Sequence, residues 1–534
     1  MQNHIFLKYS FGVKDRGQFL NNLIFPFKKF PASFIKEDSN LLVFGYFASY
    51  DQNLTLDKAI GLAASKKFRE LINYNADWMI FIYDEVNRSL SAIHDITGKF
   101  NLYFASVNRE FILSTDFSLI KNKLAKLSLN FNNVLDELTL ANLMSVADET
   151  VLNEISQLPP GALLYIVNGK WQIIPIMDPN TYFTKEIKLC VDTAQFTGEF
   201  LEVLSYVIKA RLKALSNFKY GSVISSGFDS SLITYLVKKL SQSDFPVLSL
   251  TSKYTESDSN SQIVRTFADS HKLDLDFIAA DKLIALSDFE VNWIKDRYYP
   301  SGCDVDWINA LYTNAKIKGV TALFTGEGGD EVSQSYKLEE EVRFQIQFCY
   351  QSAVLEPMTT YGFDTLYTSK GVSAILDRQR FTRKKFFPVP LAVSCITAFR
   401  PAFSLYWEND IWPLSPFTDS RVTGVARKLP LELQRNFDKQ QIWTDRTDIF
   451  LPQQFRMKGS MEKQTKLFLT ERREFIIKTL ENSVLGQLGL IKSNEIIRNI
   501  SDGNIKFYEP EAIALQLLMI LKLECFIQTN KLIF

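Results

Sequence analysis

Apolar residues in the first third of the chain fall in short runs bounded by Gly, Asn and Asp, such as LLVFGYFA at 41–48 and DWMIFIYD at 77–84. Runs of this length, rich in aromatic and β-branched side chains, predict the strands of an antiparallel domain reaching to about residue 179. From about residue 190 the pattern changes. YGSVIS at 220–225 reads as a strand and SSLITYLVKKL at 230–240 as the helix after it. A strand at 247–251, a helix at 261–271, a strand at 275–279, a helix at 307–317 and a strand at 320–324 follow. Strands alternating with amphipathic helices predict a parallel sheet with crossover helices, whose ligand-binding loops gather at the carboxyl ends of the strands. A domain boundary is expected near 180–195, with no internal repeat and no low-complexity linker. The most apolar stretch, 512–527, is interrupted by Gln516, Lys522 and Glu524 and is shorter than the roughly 20 residues of a membrane span, so it reads as a buried C-terminal helix.

Composition narrows the class. With 534 residues and 46% hydrophobic content the chain can bury two or three packed domains. Lys+Arg and Asp+Glu both number 60, so charge points neither to nucleic acid nor to an anionic membrane. Five cysteines, Cys190, Cys303, Cys349, Cys395 and Cys525, lack any C-x-x-C spacing, which argues for a reducing compartment and against a disulfide framework or a structural zinc. Lys8, Lys14, Asp15 and Arg16 interrupt the first 20 residues, no signal peptide is read there, and a cytoplasmic protein is expected. The three histidines, His4, His94 and His271, are far apart, which disfavours a Ser-His-Asp hydrolase and a His-rich metal centre.

Two loops carry the candidate chemistry. Ser225-Ser226-Gly227-Phe228-Asp229-Ser230-Ser231 lies between a predicted strand and a predicted helix. Small residues there let backbone N–H groups converge on an anion, aided by the helix N-terminus. Taken alone, the same residues serve equally as a polar turn with a helix cap. The chain has no GxxxxGK[ST], so this is not a loop of the γ-phosphoryl-transferring type. Thr325-Gly326-Glu327-Gly328-Gly329-Asp330-Glu331 follows another predicted strand and sets carboxylates on a glycine-rich turn that a ligand can approach closely. An acidic loop facing a phosphate loop implies a bridging cation, with Asp229 and Asp330 as candidate Mg²⁺ ligands on a pyrophosphate.

These loops resemble the S-G-G-x-D-S and S-G-E-G-x-D-E loops of the asparagine synthetase family, in the same order and at a similar separation. Further segments match in line. PLSPFTDSRV at 413–422 is similar to R-x-P-F-L-D-x-R, Lys439 with Ile442 to K-x-x-L, and LPQQFRMKG at 451–459 to L-P-x-x-I-x-x-R-x-K-x-G. Upstream, IYDEVNRSLSAIHDITGKFNLYF at 82–104 resembles Y-D-x-x-x-x-x-L-x-x-x-R-D-x-x-G-x-x-P-L-Y, and TVLNEISQLPPG at 150–161 resembles T-x-x-x-x-I-x-x-L-P-P-G. The resemblance implies an α/β protein with an N-terminal Ntn-hydrolase-like αββα sandwich over residues 1–185. A PP-loop synthetase domain of the adenine nucleotide α-hydrolase type would follow over 195–534. It also implies ATP and Mg²⁺ as cofactors, the loop 225–231 with Leu250 and Gly326 as the ATP and pyrophosphate site, and Lys439 as a catalytic lysine that stabilises charge at the acyl centre. Glu327 occupies the position that is glutamate in asparagine synthetases and resembles that of a catalytic tyrosine in β-lactam synthetases. It is read either as the general base or as an organiser of its glycine loop.

Departures from the pattern redirect the function. Glutamine-dependent members carry a cysteine nucleophile after Met1, where this chain has Gln2, and without the thiolate the glutamine amide is not attacked by that route. Asp95 is retained, but His94 replaces an arginine and Asn101 a proline, so the N-terminal domain reads as a retained scaffold and His94 as a tolerated substitution. Ser226 stands where the family has glycine and adds a hydroxyl that can donate to phosphate. The implied reaction is adenylation of a carboxylate, with AMP and pyrophosphate released, followed by amine attack. A lactam or peptide macrolactam formed within one substrate, as in lasso-peptide cyclases and β-lactam synthetases, is the first reading. A carboxylate-bearing substrate, in that case a precursor peptide, and a partner peptidase go with it. An ammonia-dependent asparagine synthetase and an inactive binding homologue are the alternatives.

Overall fold

The computed structural model describes residues 5–10, 19, 23–24, 32–38, 40–108, 110–138, 148–177, 188–241, 243–251, 260–279, 305–332, 365–382, 402–430, 433, 468–508 and 511–532. The first part contains strands β1 (Phe6–Ser10), β2 (Leu23–Ile24), β3 (Ser33–Asp38), β4 (Leu41–Ser49), β5 (Ala76–Asp84) and β6 (Ser89–His94). It continues with β7 (Tyr103–Val107), β8 (Glu110–Ser114), β9 (Ser156–Gln157), β10 (Ala162–Val167) and β11 (Lys170–Pro175). They form two antiparallel sheets, ordered β2-β1-β8-β7-β9 and β11-β10-β6-β5-β4-β3.

Strand alternation decides how these sheets stack. Leu42, Phe44 and Tyr46 of β4 and Met79, Phe81 and Tyr83 of β5 share a core with Leu7, Phe104 and Phe111 of the other sheet. The intervening Val43, Trp78, Ile80 and Ile82 pack instead with the helix Leu56–Ala64. Both faces of the sheet are covered, so the two sequences read as almost unbroken apolar runs. On the far side, Tyr103, Ala105 and Ile112 bury their side chains with the helix Phe131–Glu137 and the C-terminal helix Glu511–Thr529. The layers are therefore helix, sheet, sheet, helix, the αββα sandwich that the sequence implied.

The C-terminal helix sits where its apolar sequence predicts, and its interrupting polar residues have specific partners. The Glu524 carboxylate accepts hydrogen bonds from the Ser483 hydroxyl and from the N–H groups of Val484 (3.1 Å) and Leu485 (2.8 Å), which closes the start of the helix Val484–Gln487. The Gln516 amide donates to the Leu138 carbonyl and the Tyr367 hydroxyl. The last helices of the chain thus share a core with the N-terminal sandwich, a long-range pairing that no local pattern announces.

The second part holds β12 (Tyr220–Val223), β13 (Pro246–Thr251), β14 (Asp274–Ala279), β15 (Ala322–Phe324) and β16 (Trp412–Leu414) in one sheet ordered β14-β13-β12-β15-β16, every pair parallel. The chain enters at the central β12, steps outward to β13 and β14, then returns past β12 to β15 and β16. The direction of winding reverses between β12 and β15, and at such a point the loops leaving the two strands diverge and leave a crevice.

The two parts are joined by buried charge as well as by apolar contact. Arg378, in the helix Ser369–Thr382, donates from Nε to Asp136 Oδ1 (3.0 Å) and from Nη2 to Asp136 Oδ2 (2.8 Å) and Glu149 Oε2 (2.7 Å). A buried pair made bidentate in this way is costly to break on one side, because the other charge is left in the interior. Arg378→Ala is expected to lower unfolding free energy by about 3–5 kcal/mol, and Arg378→Lys to recover only part of it, since an ammonium cannot make both parallel bonds. Urea denaturation of the three proteins checks this; an unchanged midpoint for Arg378→Ala would show that the pair does not hold the two parts together.

Candidate active site

The switch point places the two candidate loops side by side. β12 ends at Val223 and pairs through Ser222 with Phe324, the last residue of β15, so the loops at 225–231 and 325–330 leave adjacent strands in the same direction. The first loop runs into the helix Phe228–Leu240, which begins two residues earlier than the apolar pattern predicts, so Phe228, Asp229, Ser230 and Ser231 form its opening turn. Gly227 takes the cap position and has no side chain to accept from the first-turn amides. The helices starting at Leu56, Thr193 and Ser420, by contrast, have Thr55, Asp192 and Asp419 as side-chain acceptors. A helix N-terminus whose cap position offers no side-chain acceptor suits an anion.

The serines shape this turn. Ser230 Oγ accepts from the Ser225 N–H (2.9 Å) and Ser225 Oγ from the Gly227 N–H (3.1 Å), while the Ser231 hydroxyl donates to the Gly227 carbonyl (2.9 Å). Ser231 is fully buried and Phe228 packs in the core, so these two can offer a ligand only their backbone amides. Leu250 lies near the end of β13, half-buried against the same core.

The second loop lies directly on the first. A Cβ placed on Gly326 would stand 2.5 Å from the Ser230 amide nitrogen, and one on Gly329 would stand 2.5 Å from both Cβ and Oδ1 of Asp229. No larger residue fits at either position without moving backbone or carboxylate, which is the physical reason for glycine there. The loop is tied at its base, where the Thr325 N–H donates to the Leu414 carbonyl (2.9 Å) and the Thr325 hydroxyl meets that of Ser415 (3.2 Å). It ends in the short helix Gly329–Val332, which places the Asp330 backbone one residue beyond the contact with Asp229. The Asp330 side chain and Lys439 lie outside the described residues.

Among the described residues no three His, Cys, Asp or Glu side chains group to hold a metal by themselves. The Asp229 carboxylate, turned toward the second loop, fits one oxygen-ligand position of Mg²⁺.

Glu327 is half-buried beside residues that sequence reasoning did not find. Tyr312, in the helix Val305–Ile317, stacks on Tyr406 with ring centroids 4.1 Å apart. Burial, together with the nearby Glu327 charge, raises the pKa of both phenols well above the ordinary tyrosine value. Both therefore keep their protons beside the Glu327 carboxylate. A lone tyrosine in a helix carries no sequence signal for this role.

His94 is fully buried, with Nδ1 2.9 Å from the Asp95 carbonyl and Nε2 3.1 Å from the Leu158 carbonyl. Burial lowers its pKa, so the ring is neutral and its single N–H donates to one of these two carbonyls. Asp95 accepts from the N–H groups of Trp78 (2.9 Å) and Thr97 (2.6 Å) and so organises the turn after β6.

Residues 199–390 match the model of the family described as asparagine synthase. The matched segment spans a little over a third of the chain. Both loops fall inside the matched segment, which supports ATP-dependent ligase chemistry of the amidation type. No curated protein matches the sequence. Among solved structures, glutamine phosphoribosylpyrophosphate (PRPP) amidotransferase from B. subtilis complexed with ADP and GMP is similar at 8% identity and a TM-score of 0.21, covering 52% of this chain and 75% of that one. A structure described as the allosteric regulatory enzyme of purine biosynthesis is similar at 8% identity and a TM-score of 0.19, over 48% of this chain and 63% of that one, less than two thirds of its length. At these TM-scores neither likeness bears on the site. Among the described residues, no helix is long and apolar enough to cross a membrane.

The glycine contacts give a direct test. Gly329→Ala is expected to weaken binding of a non-hydrolysable ATP analogue by about tenfold or more, because the added methyl displaces Asp229 or the loop itself. A Cβ on Gly424 meets nothing within 4 Å, so Gly424→Ala should bind normally and gain up to about 1 kcal/mol of helix stability. Calorimetric titration of both variants checks this. Unchanged affinity for Gly329→Ala would mean that the loop contact is not part of the nucleotide site.

Proposed function

We propose that this protein adenylates a carboxylate and joins it to an amine carried by the same substrate, forming a lactam or peptide macrolactam. The observation that carries the reading is the close packing of a phosphate-type helix N-terminus against an acidic glycine loop at the switch point of a parallel sheet. The chemistry follows from these parts. A carboxylate oxygen attacks the α-phosphorus of ATP, the bond to the β-phosphoryl oxygen breaks, and pyrophosphate leaves with the electron pair. First-turn amides of the Phe228–Leu240 helix, with the Ser225 and Ser226 hydroxyls, are placed to hold that developing charge. Asp229 and Asp330 would hold Mg²⁺, which supplies charge neutralisation on the phosphates when bound. The amine then attacks the acyl carbon, gives up its proton to Glu327, and AMP departs. Lys439 is assigned to the acyl centre by resemblance.

The source of nitrogen is argued from the N-terminal domain. All five cysteines of the chain lie at position 190 or later, so the domain that carries glutaminase chemistry in glutamine-dependent relatives has no thiol. An amine supplied by the substrate removes the need for one. A linear precursor peptide and a peptidase that exposes its reactive amine are the partners this reading takes. The second reading, amidation of aspartate by free ammonia, is favoured by one observation, a glutamate at position 327 in the form found in asparagine synthetases.

Two experiments follow. Exchange of labelled pyrophosphate into ATP reports the first step and amide product reports the second, with a linear peptide bearing a free amine and a carboxylate, or aspartate and ammonium, as acceptor. Asp330→Ala is expected to abolish both, whereas Glu327→Gln should retain exchange and lose amide formation by about 10²–10⁴, the worth of a general base. Equal loss in both assays for Glu327→Gln would make that residue structural. Glutamine supplied to the pure protein, with or without ATP, is expected to yield no glutamate. Appreciable hydrolysis would reveal a nucleophile other than a cysteine.

A further inference from the structure

A buried ion pair in the N-terminal domain has no part in the reaction just described. Lys99 Nζ lies 3.0 Å from Asp77 Oδ1, and both side chains are almost wholly excluded from solvent. Charges at that depth are costly unless well paired, and they do not improve a sandwich that Leu and Phe could fill. The contacts around the pair lead out of the domain. Asp77 Oδ2 accepts the Tyr50 hydroxyl proton at 2.7 Å, and the same hydroxyl oxygen accepts from Trp412 Nε1 at 3.1 Å. Trp412 opens β16, and Leu414 at its end and the following Ser415 bond Thr325 at the base of the acidic loop.

A second branch leaves from the face of the Tyr50 ring. The Arg211 guanidinium lies 4.2 Å from its centroid and donates from Nη1 to Asp419 Oδ2 at 2.9 Å. Burial opposes ionisation of Asp419, but Arg421 and Arg211 outweigh it and hold the carboxyl well below the usual carboxylate range. Asp419 caps the helix Ser420–Ala426, and that helix packs against the helix Gly329–Val332 at the other end of the acidic loop. One tyrosine of the N-terminal domain is therefore connected to both ends of the loop that carries Glu327 and Asp330.

We infer that Tyr50 is a positioning residue for the synthetase site: the Lys99–Asp77 pair fixes its hydroxyl, and through Trp412 and Arg211 it fixes the acidic loop at residues 325–332. The inference accounts for an N-terminal domain kept without a thiol, since the domain serves as the buttress of the second site. It rests on the proposed function only for what the loop does, not for the mechanical connection itself.

The test is hydrogen exchange at the amides of residues 325–332, read by mass spectrometry on the full chain without ligand. Tyr50→Phe keeps the ring over Arg211 and removes both hydroxyl bonds, and it should speed exchange in this segment about tenfold, the scale set by loss of a buried hydrogen bond. Ile60→Val, in the N-terminal helix on the outer face of the sandwich, loosens the same domain without touching the connection and should leave the segment unchanged. The same Tyr50→Phe protein should lose about tenfold in the maximal rate of pyrophosphate exchange with little change in KM for ATP, as a small misplacement of catalytic groups does. Protection of 325–332 equal to wild type in Tyr50→Phe, or equally lost in Ile60→Val, overturns the inference. Exchange faster only in Tyr50→Phe, in a protein that shows no pyrophosphate exchange at all, would uphold the connection and sink the adenylation reading instead.

Discussion

The candidate site depends on a contact that has no room for a side chain. Gly326 lies against the Ser230 backbone and Gly329 against the Asp229 carboxylate, so two loops from strands that are distant in sequence share one surface. Adjacent parallel strands bring their carboxyl ends within a few ångströms of one another, and anything larger than glycine on the second loop would force them apart. From this follow the orientation of Asp229 toward the acidic loop, the placement of the Asp330 backbone beyond it, and the opening of the helix N-terminus toward whatever the loops enclose. Sheet order is the deeper cause. Because the chain starts at the centre and winds in both directions, β12 and β15 become neighbours even though about a hundred residues separate them.

Around this contact the protein is held by polar groups in places where an apolar core would be simpler. The Arg378 pair with Asp136 and Glu149, the Glu524 acceptor at the Val484–Gln487 helix, and the line from Lys99 and Asp77 through Tyr50 to Trp412 each join segments far apart in the chain. Packing fills the same boundaries: Trp407 meets Tyr46 and Phe100 edge-on, with centroids 5.4 and 5.8 Å away. Aromatic faces supply area there, while directional hydrogen bonds specify one mutual arrangement of the parts. The two kinds of contact act together at Trp412, whose ring belongs to the aromatic cluster and whose N–H belongs to the polar line.

Much of the local structure was legible in the sequence because it follows from periodicity. β4, β5, β13, β14 and the C-terminal helix lie within a few residues of their predicted places, since their apolar runs have the length and turn boundaries of those elements. The two loops drew notice because they occur as a pair after predicted strands and resemble family motifs; either one alone reads as a polar turn. The αββα layering came only with the family resemblance, and the return of the last helices onto the N-terminal sandwich was not legible, because it depends on pairing at long range. Tyr312, Tyr406 and Tyr50 escaped for a related reason: a buried tyrosine in a helix or after a strand is ordinary core until its neighbours are known. Asp419 stood inside a segment resembling the family, yet only its two arginine partners show that it caps a helix next to the site.

The central claim is that the bond broken in ATP is the one at the α-phosphorus, with a carboxylate as the attacking group. Transfer of isotope tests this without variants. A substrate bearing ¹⁸O in its carboxylate is incubated with the protein, ATP and Mg²⁺, and the nucleotide and phosphate products are separated and weighed by mass spectrometry. An acyl-adenylate passes one substrate oxygen to the α-phosphoryl group when the amine displaces it, so the account predicts AMP carrying one ¹⁸O and pyrophosphate carrying none. Label recovered in inorganic phosphate, with ADP as the nucleotide product, would mean an acyl-phosphate and would contradict the reading of these two loops.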